Sequence, residues 1–147
     1  METVRNIFTQ ACTIEYAADK INADYWQTPE ETRMLKKGDC EDIALYLANL
    51  LDRSSIRNRF VCGVTREEIL NSDFIEYHAW NEVLIGFDTY IFDASHGWEY
   101  GFNVEKGRGL IIKKSEMTQQ GRYVEHAPEN IRKKLSKVRS NMEISSN

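Results

Sequence analysis

Gly38-Asp39-Cys40-Glu41-Asp42-Ile43-Ala44-Leu45-Tyr46-Leu47 reads as the opening of a helix. Asp39 is a favourable N-cap, and Asp42 puts a second carboxylate into the first turn, where unpaired N–H groups attract negative charge. Ile43, Ala44, Leu47, Leu50 and Leu51 then fall on one face, which predicts a helix pinned to a core until about residue 55. Cys40 follows the cap directly. A thiol there is close to the positive end of the helix dipole, which favours the thiolate, and the same N–H groups can receive an oxyanion. Asp39, Glu41 and Asp42 oppose this by their charge unless their side chains turn away into caps, salt bridges or a cation.

Upstream, Thr28, Pro29 and Glu31 make a capping-box start for a short helix, expected to stop near Gly38 as its left-handed C-terminal residue. Before it, Ile7, Phe8, Ala11, Cys12, Ile14, Ala18 and Ile21 recur at helical spacing and predict an amphipathic helix over about 5–22, with Cys12 on its apolar stripe.

Downstream the pattern changes. Phe60-Val61-Cys62-Gly63-Val64 reads as a buried strand, and 66–71 as an added helical turn. Residues 77–85 and 89–94 are rich in aromatic and β-branched types around Gly86-Phe87-Asp88, which predicts an antiparallel hairpin. Leu110-Ile111-Ile112 reads as a last short strand, and Pro128 opens a helix carrying Ile131, Leu135 and Val138. Helices first and strands after indicate an α+β domain.

His78 lies in the first hairpin strand and Asp93 in the second. A carboxylate flanked by apolar strand residues needs a partner. Facing residues of a two-residue hairpin have numbers with an odd sum, as 78 and 93 do, so the two can meet side by side. Direct opposition requires a turn at Ile85-Gly86, whereas a turn at Phe87-Asp88 puts Glu82 opposite Asp93. If they meet, His78 can act as general base toward a thiol while Asp93 holds the imidazole. His96 and His126 sit in polar surroundings and read as exposed.

The chain has 147 residues, 41% apolar and 29% charged, which suits one soluble domain over 1–139 with a polar, disordered tail over 140–147. The net charge of −4 gives no global signal for nucleic acid. Arg132, Lys133, Lys134, Lys137 and Arg139 read as a solvated helix face. No run of about 18 apolar residues predicts a membrane span, and Met1-Glu2-Thr3-Val4-Arg5 does not resemble a signal peptide, so a cytoplasmic protein is expected. Three cysteines are too few for a disulfide scaffold. Cys12 and Cys62 read as core residues, and no Cys/His spacing suggests zinc.

Trp26-x-Thr28-Pro29-x-Glu31, Gly38-Asp39-Cys40-Glu41-Asp42-x-Ala44, His78-Ala79-Trp80 and Phe92-Asp93 together resemble the transglutaminase-like superfamily, nearest its bacterial cysteine proteases. The resemblance spans about residues 25–95. It implies a papain-like core, with the cysteine helix packed on an antiparallel sheet. It also implies acyl transfer through a thioester, with Cys40, His78 and Asp93 as the triad. By the same resemblance Trp26 and Gln27 are oxyanion-hole candidates. Asp39, Glu41 and Asp42 match the acidic residues through which some relatives bind calcium, although helix capping is the preferred reading of them and no cofactor is required. Trp80 and Trp98 are candidates for a substrate groove, with core packing the rival role for Trp80.

The expectation is therefore a cysteine hydrolase or acyltransferase acting on the amide bonds of a protein or peptide. Its rival is a catalytically silent binding module on the same fold. Oligomeric state, substrate and the choice between water and an amine as acceptor are open at this level.

Overall fold

The structure is a computed structural model and describes residues 2–17, 25–65, 78–95, 109–116 and 123–125. Helix α1 (Glu2–Cys12) leads into the short strand β1 (Glu15–Tyr16). Helix α2 (Pro29–Leu35), strand β2 (Lys37–Gly38) and helix α3 (Cys40–Arg53) follow. The strands β3 (Asn58–Thr65), β4 (His78–Ile85), β5 (Asp88–Asp93), β6 (Leu110–Lys113) and β7 (Tyr123–Glu125) form one antiparallel sheet in the order β6-β5-β4-β3-β7. The expected helix after Pro128, the helical turn at 66–71 and the tail over 140–147 lie outside the described residues, as do His96, Trp98 and His126.

The capping box expected at α2 forms, and the N-cap expected at Asp39 is half of a second box that the sequence reading did not name. Thr28 and Glu31 cap α2 reciprocally with Pro29 in the first helical turn, and Asp39 and Asp42 do the same for α3. These motifs need only residues three apart, so they form irrespective of distant packing.

Two boundaries differ from the expectation. Helix α1 ends at Cys12 rather than near 22, because Glu15 and Tyr16 leave the helix to pair in parallel with Lys37 and Gly38. Helix α2 ends one turn earlier than expected, and the left-handed residue is Lys36 (φ 58°), whose N–H is held by the Thr32 carbonyl. Gly38 serves a different purpose. A Cβ there would lie 2.6 Å from Cβ of Asp42, so the glycine makes room for that carboxylate.

The sheet separates two apolar layers. On one face Val4, Phe8, Ala11 and Cys12 of α1 pack with Ile43, Leu47 and Leu51 of α3 against Val83 and Phe92. Each of the larger side chains contributes about 1.5–3 kcal/mol by leaving water. On the other face Val61, Trp80 and Ile91 pack with Leu110 and Ile112. Asn81 crosses to the helical layer, and its amide Nδ2 donates to the Ala44 carbonyl of α3 at 2.9 Å. This polar contact fixes α3 along β4.

The hairpin takes neither of the two registers weighed from the sequence. Ile85 faces Asp88, so Gly86 and Phe87 form the turn. Gly86 has φ 65°, and a glycine at the first turn position is what a tight two-residue hairpin favours. Asn81 then faces Phe92, where the β4–β5 ladder ends, and His78 and Asp93 meet just beyond it.

Candidate active site

Cys40 is the first residue of α3 and is 4% exposed. It packs in one cluster with Trp26, Ala44, Leu45, Phe60, Cys62 and Ala79. Ala79 is the neighbour of His78, and Cys62 faces it across the β3–β4 ladder. Strand β4 thus begins beside the N-terminus of α3, with His78 as its first residue.

His78 Nε2 lies 2.7 Å from Asp93 Oδ2, with both side chains wholly buried. Ser95, itself buried, donates its hydroxyl to the other oxygen, Asp93 Oδ1, at 3.2 Å. Two buried oxygens with donors are what a carboxylate inside a sheet requires. The sequence reading missed Ser95, although a hydroxyl two residues after an aspartate is a recurring local signal. Trp80 is 2% exposed in the outer apolar layer, its ring centroid 6.0 Å from that of His78. That placement gives it the core-packing role on the flank of the imidazole.

Two of the acidic residues around Cys40, Asp39 and Asp42, turn inward as caps. Asp39 Oδ1 accepts from the Asp42 N–H at 3.2 Å, and Asp42 Oδ2 accepts from the Asp39 N–H at 3.1 Å. Asp42 Oδ1 reaches farther and accepts from the Gln27 N–H at 2.8 Å. Burial, with Asp39 beside it, pushes the Asp42 carboxyl up to about 8, against the pull of the two N–H groups. Around neutral pH Asp42 therefore adds less than a full negative charge beside the thiol. The opposition expected from these acids is reduced in that way.

The other two cysteines lie in the core. Burial first, and Asp93 second, push the Cys12 thiol up to about 12. Burial and Glu41 do the same for Cys62. Both are core residues, as read from the sequence, and both are poor nucleophiles.

The oxyanion candidates sit together. Trp26 is buried against Phe60, ring centroids 5.8 Å apart, in the same cluster as Cys40. Gln27 is half-buried, and its side-chain Oε1 accepts from the Thr32 hydroxyl at 2.9 Å. The exposed ring of Tyr25 is tied by its hydroxyl to Glu31 at 2.8 and 2.9 Å.

Of the calcium candidates, Asp42 directs both oxygens to backbone N–H groups, and among the described residues no group of three or more His, Cys, Asp or Glu is arranged to hold a metal. Among those residues no helix is long and apolar enough to cross a membrane.

No curated protein matches the chain. Among solved structures it is similar to a candidate cysteine protease from Cytophaga hutchinsonii. The identity is 23% and the TM-score 0.53, over 77% of this chain and 36% of that one. It is also similar to LapG of Legionella pneumophila, at 19% identity and TM-score 0.58 over 84% of this chain and 61% of that one. The calcium-bound form of LapG gives a TM-score of 0.59 and the EGTA-treated form 0.58. The chain thus spans between about a third and three-fifths of the length of these structures, and at such identities the likeness is one of fold. The model of the transglutaminase-like superfamily matches residues 1–98. With two-thirds of its length under that match and the cysteine helix laid on an antiparallel sheet, the chain belongs to the transglutaminase-like superfamily.

Proposed function

We propose that the chain is a cysteine hydrolase that cleaves peptide or isopeptide amides through a thioester on Cys40. The observation that carries this reading is the buried His78–Asp93 pair, 2.7 Å apart, at the start of the strand that packs on the N-terminus of the Cys40 helix. Similarity in fold to LapG and to the Cytophaga structure supports it.

With Asp93 accepting from Nε2–H, the neutral imidazole is held in the tautomer whose Nδ1 accepts a proton. The Cys40 thiol proton passes to Nδ1, and Sγ attacks the amide carbonyl carbon. The oxyanion is received by the N–H groups at the start of α3 together with Trp26 or Gln27. Collapse breaks the C–N bond, and the leaving amine takes the proton from His78. Water then attacks the thioester, giving its proton to His78, and releases the acid and the Cys40 thiol. An amine in place of water makes the same machinery a transamidase.

The steps above call on no calcium, although one of the LapG structures similar in fold is calcium-bound.

The test is the rate of alkylation of Cys40 by iodoacetamide over roughly pH 4–9, the range that brackets cysteine pKa shifts. Wild type is compared with His78→Ala. Fast reaction below neutral pH, lost in the variant, establishes a thiolate–imidazolium pair. An ordinary thiol titration that ignores His78 refutes the reading and leaves the binding-module alternative.

A further inference from the structure

Thr32 has an unusual bond for a residue in a helix. A threonine there ordinarily turns its hydroxyl back to the carbonyl three or four residues earlier. Thr32 is wholly buried in α2, and its Oγ1 instead donates to Gln27 Oε1 at 2.9 Å, outside the helix. Gln27 is held at its other end as well, since its backbone N–H donates to Asp42 Oδ1 at 2.8 Å. Asp42 is two residues from Cys40, and the residue before Gln27, Trp26, shares the apolar cluster of Cys40. Gln27 is thus fastened to α2 by its side chain and to the start of α3 by its backbone.

An amide has two ends of opposite character. An oxyanion needs the N–H₂ end, and an amide free to turn presents its carbonyl oxygen half of the time. A hydroxyl donating to Oε1 breaks that symmetry and commits Nε2 to the other side. We propose that Thr32 is a positioning residue that presets the Gln27 amide as a hydrogen-bond donor to the oxyanion of the acyl intermediate. This rests on the cysteine-hydrolase reading above and adds to it a residue from a helix that carries none of the triad. Asp42 assists by holding the Gln27 backbone, and Gly38 assists by leaving space for Asp42.

Two reagents that attack the same sulfur separate this role from general folding. p-Nitrophenyl acetate acylates Cys40 through a tetrahedral oxyanion. The S–C bond forms at the carbonyl carbon, the acyl C–O bond breaks and p-nitrophenolate leaves. Iodoacetamide alkylates Cys40 by direct displacement of iodide and forms no oxyanion. The ratio of the two rates at Cys40 therefore reads the oxyanion donors alone, and thiolate formation cancels.

Gln27→Leu is expected to lower the ratio about 100-fold, the scale of losing one preorganised donor. Thr32→Val, which keeps the shape of the side chain, is expected to lower it about tenfold while leaving the alkylation pH profile unchanged. Thr32→Ser is expected to restore it. In the Gln27→Leu background Thr32→Val should change nothing, because the group it positions is gone. A ratio unmoved by Thr32→Val, or one that falls equally in both backgrounds, overturns the proposal. Slow alkylation of Cys40 that is indifferent to His78 overturns instead the reading on which it rests.

Discussion

Two buried carboxylates on opposite faces of the sheet behave in opposite ways. Asp42, in the first turn of α3, is held by backbone N–H groups beside the like charge of Asp39, and its carboxyl is pushed up to about 8. On the outer face burial alone would push the Glu82 carboxyl up. Lys114, with Nζ at 2.6 Å, and Arg59, with Nε at 3.1 Å, outweigh it and hold the carboxyl below the usual range. Dipoles fix a carboxylate in place without supplying a countercharge, whereas cations supply both. A chain that needs a thiolate beside its acids gains from the first arrangement. Strong ionisation of Asp42 would oppose a negative Cys40.

The sharpest way to break this comparison is to delete each carboxylate. Asp42→Ala orphans the N–H groups of Gln27 and Asp39, at about 1–3 kcal/mol each, so a loss of about 2–6 kcal/mol is expected in urea unfolding. A loss no greater than that of Glu82→Gln would mean that water replaces the caps, and the distinction between the two sites would fall. Gly38→Ala tests the same region from the other side. The added Cβ meets Asp42 at 2.6 Å, and overpacking of that kind costs about 1–3 kcal/mol. The alanine variant should also slow acylation of Cys40, since the carboxylate it displaces holds Gln27.

Glu82→Gln is expected to cost no more than about 1 kcal/mol, because Arg59 and Lys114 are about half exposed and can turn to water. Its effect should shrink in high salt, and that of Asp42→Ala should not. Equal salt dependence would show that charge, not capping, governs both sites.

The signs must also differ in the pH profile of the melting temperature. Asp42 titrates near 8 when folded and near 3.8 as an ordinary aspartate, so the folded state holds the extra proton between those values. Its contribution to stability falls as pH rises through that window, and Asp42→Asn should flatten the slope. The lowered Glu82 contributes above its ordinary value of 4.5 and loses that contribution as pH falls below it. Glu82→Gln should flatten only the acid limb.

The capping box of α2, the Asp39 cap of α3, the apolar face of α3 and the existence of the β4–β5 hairpin could be read from the chain because each depends on residues close in sequence. Thr28 with Glu31, and Asp39 with Asp42, need one helical turn to meet. The candidate residues Cys40, His78 and Asp93 could be named on residue type, parity and resemblance, and the structure brings His78 to Asp93. Less could be read where a residue serves a distant partner. Gly38 has the look of a helix terminator, yet the left-handed residue is Lys36 and the glycine yields space to Asp42. Glu15 and Tyr16 continue a helical apolar pattern, yet they pair with Lys37 and Gly38. Tyr123-Val124-Glu125 gave no strand signal of its own and becomes β7 only by lying beside β3.

What the sequence by itself determined is the set of local decisions: where α2 and α3 begin, which face of α3 is apolar, and that His78 and Asp93 belong to the two strands of one hairpin. These follow from short-range hydrogen bonding and from the helical and strand periods. Only the tertiary structure decided the meeting of His78 and Asp93, the Ser95 support, the turning of Asp42 toward Gln27 and the bond from Thr32 to Gln27. Each of these joins groups whose separation is set by a turn or by packing between elements, and distances of that kind exist only once the elements have docked.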